Sequence, residues 1–153
     1  IPARSGSKRI KDKNIKLLDG HPLMAYTISA AIQSDIFQSV VVSTNCSKYK
    51  SIAENYGATV SIRPEKYSGD KSPDIDWITH TLKEEQKKGR EYNIFSILRP
   101  TSPFRTKKTI KRAMSQFLNS KNIESLRAVE KCSQHPAKMW VLKVLQSYRK
   151  RRR

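Results

Sequence analysis

Hydrophobic residues follow two different periods along the chain. Four segments have apolar residues three and four positions apart, the spacing of a helix packed on one face: 22–33, 47–56, 74–88 and 106–119. Between them lie β-branched or apolar runs that are typical of buried strands: 39–44, 59–62, 93–98 and 124–129. Because strands and helices alternate, we predict an α/β fold with three αβα layers, in which helices cover both faces of a mostly parallel, Rossmann-like sheet.

Two helix ends carry local signals. Gly57 follows the second predicted helix at a position that suits a left-handed cap. Asp74 begins the third as a candidate N-terminal cap, with Ile75, Ile78 and Leu82 expected on the buried face. The residues before this helix, 63–73, are rich in Pro, Gly, Ser and Lys and are predicted to form a long surface loop.

Polar loops follow the predicted strands at several points along the chain. The loops concerned are 1–14, 44–45, 63–74 and 99–105. In a parallel sheet, ligands bind outside the carboxyl ends of the strands, near the point where the strand order reverses. We therefore expect these loops to meet at one edge of the sheet and to form a binding site there.

The first loop has the composition of a phosphate-binding loop. Ser5, Gly6 and Ser7 let the backbone approach phosphate oxygens, so that N–H groups can point at them. The cations that neutralise phosphate charge are Arg4, Lys8, Arg9, Lys11 and Lys13. A solvated basic arm is the alternative. The expected convergence of the loops favours the phosphate site.

The charge balance indicates an anionic partner. The 153 residues include 31 Lys and Arg against 13 Asp and Glu, for a net charge of +18, and five of the cations form the tail 149–153. Nucleic acid and a phosphorylated small molecule both satisfy this balance. A basic nucleic-acid-binding module is thus a rival hypothesis, but the aromatic residues are spaced as core residues rather than interleaved with cations for base stacking.

Other kinds of site find little support. Cys46 and Cys132 have neither zinc nor disulfide spacing, and the three histidines have no second ligand at a suitable distance in sequence. Asp70, Asp74 and Asp76 are interpreted as loop or helix-start residues, so we name no protein metal ligand. No apolar run approaches the roughly 18 residues of a membrane span, and no signal peptide is visible, so we expect a cytoplasmic protein.

Six motifs in order resemble those of the acylneuraminate cytidylyltransferases, or CMP-sialic acid synthetases. The motifs are Ile1–Lys8 with Lys13–Asn14, Val42–Thr44, Arg63–Pro64, Ser72–Asp74, Pro100–Arg105 and His135–Lys138. The resemblance implies a fold of the nucleotide-diphospho-sugar transferase type. It also implies a reaction in which the anomeric hydroxyl of a nine-carbon keto sugar acid attacks the α-phosphorus of CTP and releases pyrophosphate.

The resemblance assigns roles to individual residues. The triphosphate-binding positions that it implies are Arg4, Ser7, Lys8, Lys13 and Asn14, of which Lys13 and Arg4 are the catalytic candidates because fixed cations stabilise charge on the departing phosphates. The base-binding positions are Arg63, Ser72 and Asp74, and Asp74 is the candidate acceptor for the amine of cytosine. The sugar-binding positions are Arg99 and Lys138.

The chain also departs from the family pattern. Asn45 stands where the family usually has Asp, and Arg99 stands where a Gln is common, so the identity of the sugar acid stays open among sialic, legionaminic, pseudaminic and octulosonic acids. We expect residues 1–140 to be a CTP-binding domain that is incomplete at both ends, and 141–153 to be a basic tail outside the family. The resemblance implies a homodimer and Mg²⁺, whose protein ligands we expect in the absent C-terminal third. A remnant that binds CTP without turnover is the alternative.

Overall fold

The computed structural model describes residues 1–69, 72–129, 141–143 and 146–148. In chain order the elements are β1 (Leu17–Leu18), β2 (His21–Pro22), α1 (Leu23–Gln33), β3 (Val41–Thr44), α2 (Ser47–Asn55), β4 (Thr59–Ile62), α3 (Asp74–Lys87), α4 (Lys107–Asn119), β5 (Val141–Lys143) and β6 (Gln146–Tyr148). Short 3-10 turns lie at Lys13–Ile15 and Glu65–Tyr67. The chain divides into two units, Ile1–Arg112 and Ala113–Arg153.

A parallel arrangement of strands organises the first unit. β3 and β4 pair in parallel, with Val41 opposite Thr59 and Thr44 opposite Ile62. On the other side of β3, Pro2 forms a parallel bridge with Ser43. The backbone N–H of Ser43 donates to the carbonyl of Ile1 at 2.9 Å, and the N–H of Ala3 donates to the carbonyl of Ser43 at 3.0 Å. The predicted α/β fold with parallel strands is confirmed.

The core of this unit lies between the strands and the first two helices. Its largest fully buried apolar side chains are Met24 and Ile28 of α1, Val42 of β3 and Tyr49 of α2. Burying a side chain of this size stabilises the fold by about 1.5–3 kcal/mol relative to leaving it in water. Gly57, at φ 83°, reverses the chain after α2 as predicted, and the N–H of the next residue returns to the carbonyl of Ala53.

The starts of the last two helices differ from each other. Thr106 caps α4, since its hydroxyl accepts the N–H of Thr109 at 3.2 Å. The predicted capping role of Asp74 is wrong: Pro73 is the N-cap of α3, and Asp74 is already the first helical residue. The inner face of α3 also differs from the prediction, because Ile75 is 62% exposed while Trp77 is buried.

Glu85 closes α3 from within the fold. Its side chain is 1% exposed and accepts from Lys88 Nζ at 2.8 Å, Arg90 Nη1 at 3.0 Å and the Tyr92 hydroxyl at 3.4 Å. Burial opposes ionisation of Glu85, but the hydrogen bonds from Lys88 and Arg90 outweigh it and lower the pKa of the carboxyl. The end of α3 is thereby tied to the residues that follow it.

The strands predicted at 93–98 and 124–129 are wrong for the residues that the structure describes. Neither segment pairs with a strand there, and Ile94, Phe95 and Ile97 are 39–54% exposed. An apolar run predicts that a segment is suited to burial, but a strand forms only where a neighbouring edge supplies hydrogen bonds. Within the described residues these two segments have no such edge.

The second unit contains a short hairpin. β5 and β6 pair antiparallel, with Val141 opposite Tyr148. The domain boundary expected at residue 140 falls outside the described residues and stays a prediction. Among the helices of the described part of the chain, none has the length and apolar character needed to cross a bilayer.

Candidate functional site

A pocket of about 250 Å³ lies in the first unit, where the loops that follow the parallel strands meet. Seven of the ten predicted site residues line it: Arg4, Lys13, Asn14, Arg63, Ser72, Asp74 and Arg99. Ser7 and Lys8 belong to the same opening loop but are not among the lining residues, and Lys138 lies outside the described residues. Loops 1–14 and 63–74 thus meet beside the parallel strands as predicted, and residues 99–101 join them although no strand precedes them in the described residues.

Two asparagines fix the shape of the opening loop. Asn45, directly after β3, accepts the N–H of Ser5 at 2.9 Å and the hydroxyl of Ser5 at 3.2 Å through Oδ1. Asn14 is buried, and its Nδ2 donates to the carbonyl of Arg4 at 3.1 Å. Gly6, directly after Ser5, reverses the chain with a φ of 73°. The Asn14 amide group therefore shapes the loop from inside, in addition to lining the pocket.

The far end of the opening loop is tied to α2. The buried Tyr49 donates its hydroxyl to Asp12 Oδ1 at 3.1 Å, and burial together with this hydrogen bond raises the pKa of Tyr49. Asp12 has a left-handed backbone conformation at φ 51° and directly precedes the 3-10 turn that carries Lys13. The ammonium-bearing side chain of Lys13 is thus presented to the pocket from a turn whose start is anchored.

Arg63 is a buried cation beneath the pocket. Its side chain donates from Nε to Ser43 Oγ at 3.2 Å and from Nη2 to the Ser43 carbonyl at 3.1 Å. Its guanidinium carbon lies 4.9 Å from the ring centroid of Trp77. Burial and the neighbouring charge of Arg4 lower the pKa of Arg63 to about 10, so the guanidinium stays charged at neutral pH.

Asp74 is held by two partners. Its Oδ1 accepts from the Trp77 indole Nε1 at 2.9 Å, and its Oδ2 forms an ion pair with Arg99 Nη2. The family resemblance implies that Asp74 contacts the nucleotide base and that Arg99 contacts the sugar acid. The structure brings these two side chains into direct contact, so the two expected subsites adjoin.

The donor set of the pocket does not fit a magnesium ion held by the protein. Mg²⁺ requires carboxylate or phosphate oxygens in octahedral geometry. Among the described lining residues the one carboxylate is Asp74, whose Oδ1 is bonded to Trp77 and whose Oδ2 is paired with Arg99. In the described part of the chain, no three His, Cys, Asp or Glu side chains are grouped to bind a metal. The pocket is instead rich in cations, which suits an anionic ligand.

Trp77 is the main site residue that sequence reasoning missed. It follows Asp74 by three positions on a helix, and this spacing places two side chains side by side on the helix surface. The same spacing therefore pointed to a contact between them. Tyr67 and Thr101, which also line the pocket, carry no comparable signal.

The pocket occupies the region that the sequence shares with known proteins. The profile of the cytidylyltransferase family matches residues 1–150. The chain belongs to the cytidylyltransferase family. It is 44% identical over 117 residues to an N-acylneuraminate cytidylyltransferase of Escherichia coli, a match that covers 76% of this chain and 27% of the relative. It is 42% identical over 118 residues to the CMP-N,N'-diacetyllegionaminic acid synthase of Legionella pneumophila, which covers 74% of this chain and 50% of the relative.

The fold likeness extends to a solved structure. A CMP:2-keto-3-deoxy-manno-octonic acid synthetase complexed with CTP superimposes with a TM-score of 0.65 at 18% identity, over 80% of this chain and 47% of that one. The nucleotidyltransferase type of fold is therefore confirmed. This cytidylyltransferase chain spans half or less of the length of the relatives named above.

Proposed function

We propose that this cytidylyltransferase chain transfers CMP from CTP to the anomeric hydroxyl of a nine-carbon keto sugar acid of the N-acylneuraminate type. The anomeric oxygen forms a bond to the α-phosphorus, the bond from that phosphorus to the pyrophosphate oxygen breaks, and the hydroxyl proton passes to water. The products are the CMP-sugar and pyrophosphate. The relatives named N-acylneuraminate cytidylyltransferase and diacetyllegionaminic acid synthase support a nine-carbon acid.

The convergence of Arg4, Lys13 and the buried Arg63 on one pocket carries this proposal. Phosphoryl transfer depends on positioning and on fixed positive charge near the oxygens where negative charge develops. Lys13 and Arg4 act as the catalytic cations in this scheme. Ser7, Lys8 and Asn14 complete the triphosphate loop. Such an arrangement favours a phosphorylated small molecule over a nucleic acid, which binds on open basic surfaces rather than in a closed set of loops.

The other side of the pocket receives the base and the acid. Asp74, Ser72 and Arg63 bind cytosine, with the Asp74 carboxylate accepting from the exocyclic amine. Arg99 grips the carboxylate of the sugar acid, a planar group that suits a guanidinium. Lys138 serves the same substrate from the segment beyond the described residues. The contact between Asp74 and Arg99 supports adjoining base and acid subsites in this scheme.

Three properties of the full enzyme are part of the proposal. Magnesium arrives bound to the phosphates of CTP, because nucleoside triphosphates carry it in water. The enzyme acts as a homodimer. It works in the cytoplasm, where CTP is available.

The test measures pyrophosphate release with CTP, Mg²⁺ and a panel of sialic, legionaminic, pseudaminic and octulosonic acids. We expect release with a nine-carbon acid and a CTP-induced rise in melting temperature. Lys13→Ala is expected to lower the rate by about a hundredfold, as for the loss of one charge-stabilising group. Lys11→Ala is the matched control, since Lys11 belongs to the same loop but does not line the pocket.

Two outcomes contradict the proposal in different ways. If CTP raises the melting temperature but no acid releases pyrophosphate, the chain binds CTP without turnover. If CTP has no effect on the melting temperature, the pocket is not a CTP site.

A further inference from the structure

Trp77 connects the buried cation of the site to the pocket carboxylate. The indole is 6% exposed, and one face of its ring covers the guanidinium of Arg63. At its edge, Nε1 donates to Asp74 Oδ1 at 2.9 Å. Nothing in the triphosphate scheme uses this side chain, although it lines the pocket.

We propose that Trp77 is a positioning residue that aims the Asp74 carboxylate at the nucleotide base and so sets the preference for cytosine over uracil. The inference rests on the proposed CTP site. It adds a residue that acts through Asp74 rather than on the substrate.

The two oxygens of Asp74 are held with different firmness. Oδ1 is bound by an indole that is buried, whereas the partner of Oδ2 is Arg99, whose side chain is 54% exposed. An exposed ion pair is worth roughly 0–1 kcal/mol and exchanges readily for another partner. A hydrogen bond from a buried donor to a charged group is worth more, and the bond from Trp77 is partly buried. Oδ2 is therefore the oxygen that becomes available to a ligand, while Oδ1 keeps the carboxylate in a fixed orientation.

A carboxylate fixed in this way discriminates between the two bases. An ionised carboxylate has only acceptors, so it accepts from the exocyclic amine of cytosine and repels the carbonyl oxygen that uracil carries at the same position. A site that is built to bond one group rejects an analogue that lacks it, because the polar group covered by the bound base is then left unpaired.

The orientation of Asp74 is linked to the sheet through Trp77 and Arg63. The ring of Trp77 rests on Arg63, and Arg63 is bonded through its side chain to both the hydroxyl and the carbonyl of Ser43 in β3. A cation over an indole face adds attraction to ordinary packing. Without the indole N–H, the ring would still rest on Arg63, but Asp74 would keep only its exposed ion pair with Arg99 among the two contacts described above, and its orientation would be less fixed.

Trp77→Phe separates these contributions, because it retains an aromatic face over Arg63 and removes the N–H. We expect the Kd for CTP to rise about tenfold, as for the partial loss of one charged hydrogen bond, with the Kd for UTP unchanged within about twofold. Isothermal titration of CTP and UTP gives both values. Tyr56→Phe is the control, since it removes one hydroxyl that contacts His21 outside the pocket and is expected to change neither Kd.

Asp74→Asn keeps the inference testable if Trp77→Phe folds poorly. With Oδ1 still bonded to Trp77, the amide nitrogen faces the pocket and donates to the carbonyl of uracil, so the preference for CTP over UTP is expected to disappear. In the Asp74→Asn background, Trp77→Phe is expected to have no further effect on that preference.

The failures of the two proposals are distinguishable. Equal weakening of CTP and UTP by Trp77→Phe means that Trp77 only supports the fold, and this result overturns the inference while the CTP site stands. A wild-type preference that survives Asp74→Asn does the same. If the unaltered protein binds neither nucleotide, the proposed function fails and the inference fails with it.

Discussion

The two sides of the pocket are built in different ways. The opening-loop wall consists of residues 1–14 with Arg63. Side-chain hydrogen bonds join it to the rest of the fold: Asn45 accepts from the loop, Tyr49 of α2 donates to it, and Arg63 donates to β3. The Arg99 wall, residues 93–105, carries exposed apolar side chains, and within the described residues its backbone joins no sheet. It is anchored chiefly where it begins, through the contact of Tyr92 with Glu85.

The difference shows which side of the pocket is held in place by contacts within the described residues. The proposed triphosphate side is held by long-range contacts to β3, α2 and Asn45, all of which lie within the described residues. Residues 93–98 have a composition suited to burial on both faces, but they obtain little burial here. The proposed acid side thus depends on few contacts, and the nucleotide side on many.

The largest expected effect is on the free energy of unfolding when one apolar side chain is truncated in each region. This pair of variants tests the difference between the two regions most directly. Val42→Ala, at a fully buried position of the strand to which the opening loop is bonded, is expected to lower the free energy of unfolding by roughly 2 kcal/mol. Ile97→Ala is expected to change it by less than about 0.5 kcal/mol, because the side chain is already 39% exposed. Urea unfolding of both variants measures these values. Equal destabilisation would show that 93–98 is buried in solution and would remove the contrast.

Releasing the anchor of the Arg99 wall should have an intermediate effect. Glu85→Gln removes the charge that Lys88 and Arg90 share, at a cost of roughly 1–2 kcal/mol. For a chain of this size, that corresponds to a fall of about 3–6 °C in the melting temperature at pH 7. Glu84→Gln, whose charge pairs with Lys87 at the surface, is the control and should shift it by less than about 1 °C.

The same variant has a defined dependence on pH. The folded pKa of Glu85 lies below its ordinary value of 4.5, so its contribution is complete above that pH and is lost as the pH falls through the folded pKa. The gap in melting temperature between the unaltered protein and Glu85→Gln should therefore be widest at neutral pH and narrow below about pH 4.5. A gap that widened in acid would mean that the folded state raises this pKa.

Arg99→Gln should have the smallest effect on the nucleotide and sharpens the division of roles. Loss of the exposed pair with Asp74 is expected to change the Kd for CTP by no more than about twofold. The KM for the sugar acid should rise about tenfold, since one charged contact to the carboxylate is lost. Titration with CTP and initial rates of pyrophosphate release measure the two quantities. A large loss of CTP affinity with an unchanged KM for the acid would assign Arg99 to the nucleotide instead.

Sequence patterns predicted the fold well where an element is defined by its neighbours in the chain. The period of α1 and α2, the β-branched run of β3, and Gly57 are local signals, and the structure has each at the expected place. The run 93–98 failed because burial of a strand depends on a partner edge, which a local pattern does not contain. The prediction that Ile75 is buried was wrong for a related reason: helical period alone does not say which residues of the helix contact the core.

The candidate site was predictable to the extent that strand order brings loops together. Arg4, Lys13, Arg63 and Asp74 meet because each follows a strand of one parallel sheet, or begins the helix after such a loop. The bond between Trp77 and Asp74 decides how the carboxylate is oriented, and orientation is a tertiary property. An aromatic residue in a helix usually indicates a core position, so helical spacing does not reveal a hydrogen bond from the edge of this indole.

Pro2 has a consequence for self-association. Ile1 and Ala3 direct their hydrogen bonds toward β3, so the backbone groups of Pro2 face the opposite edge of the sheet. Proline has no N–H, and that edge therefore presents an acceptor without a matching donor at this position. An extended segment from another copy of the chain can form only part of a ladder there. Within the described residues, Pro2 thus makes this edge a poorer template for edge-to-edge pairing.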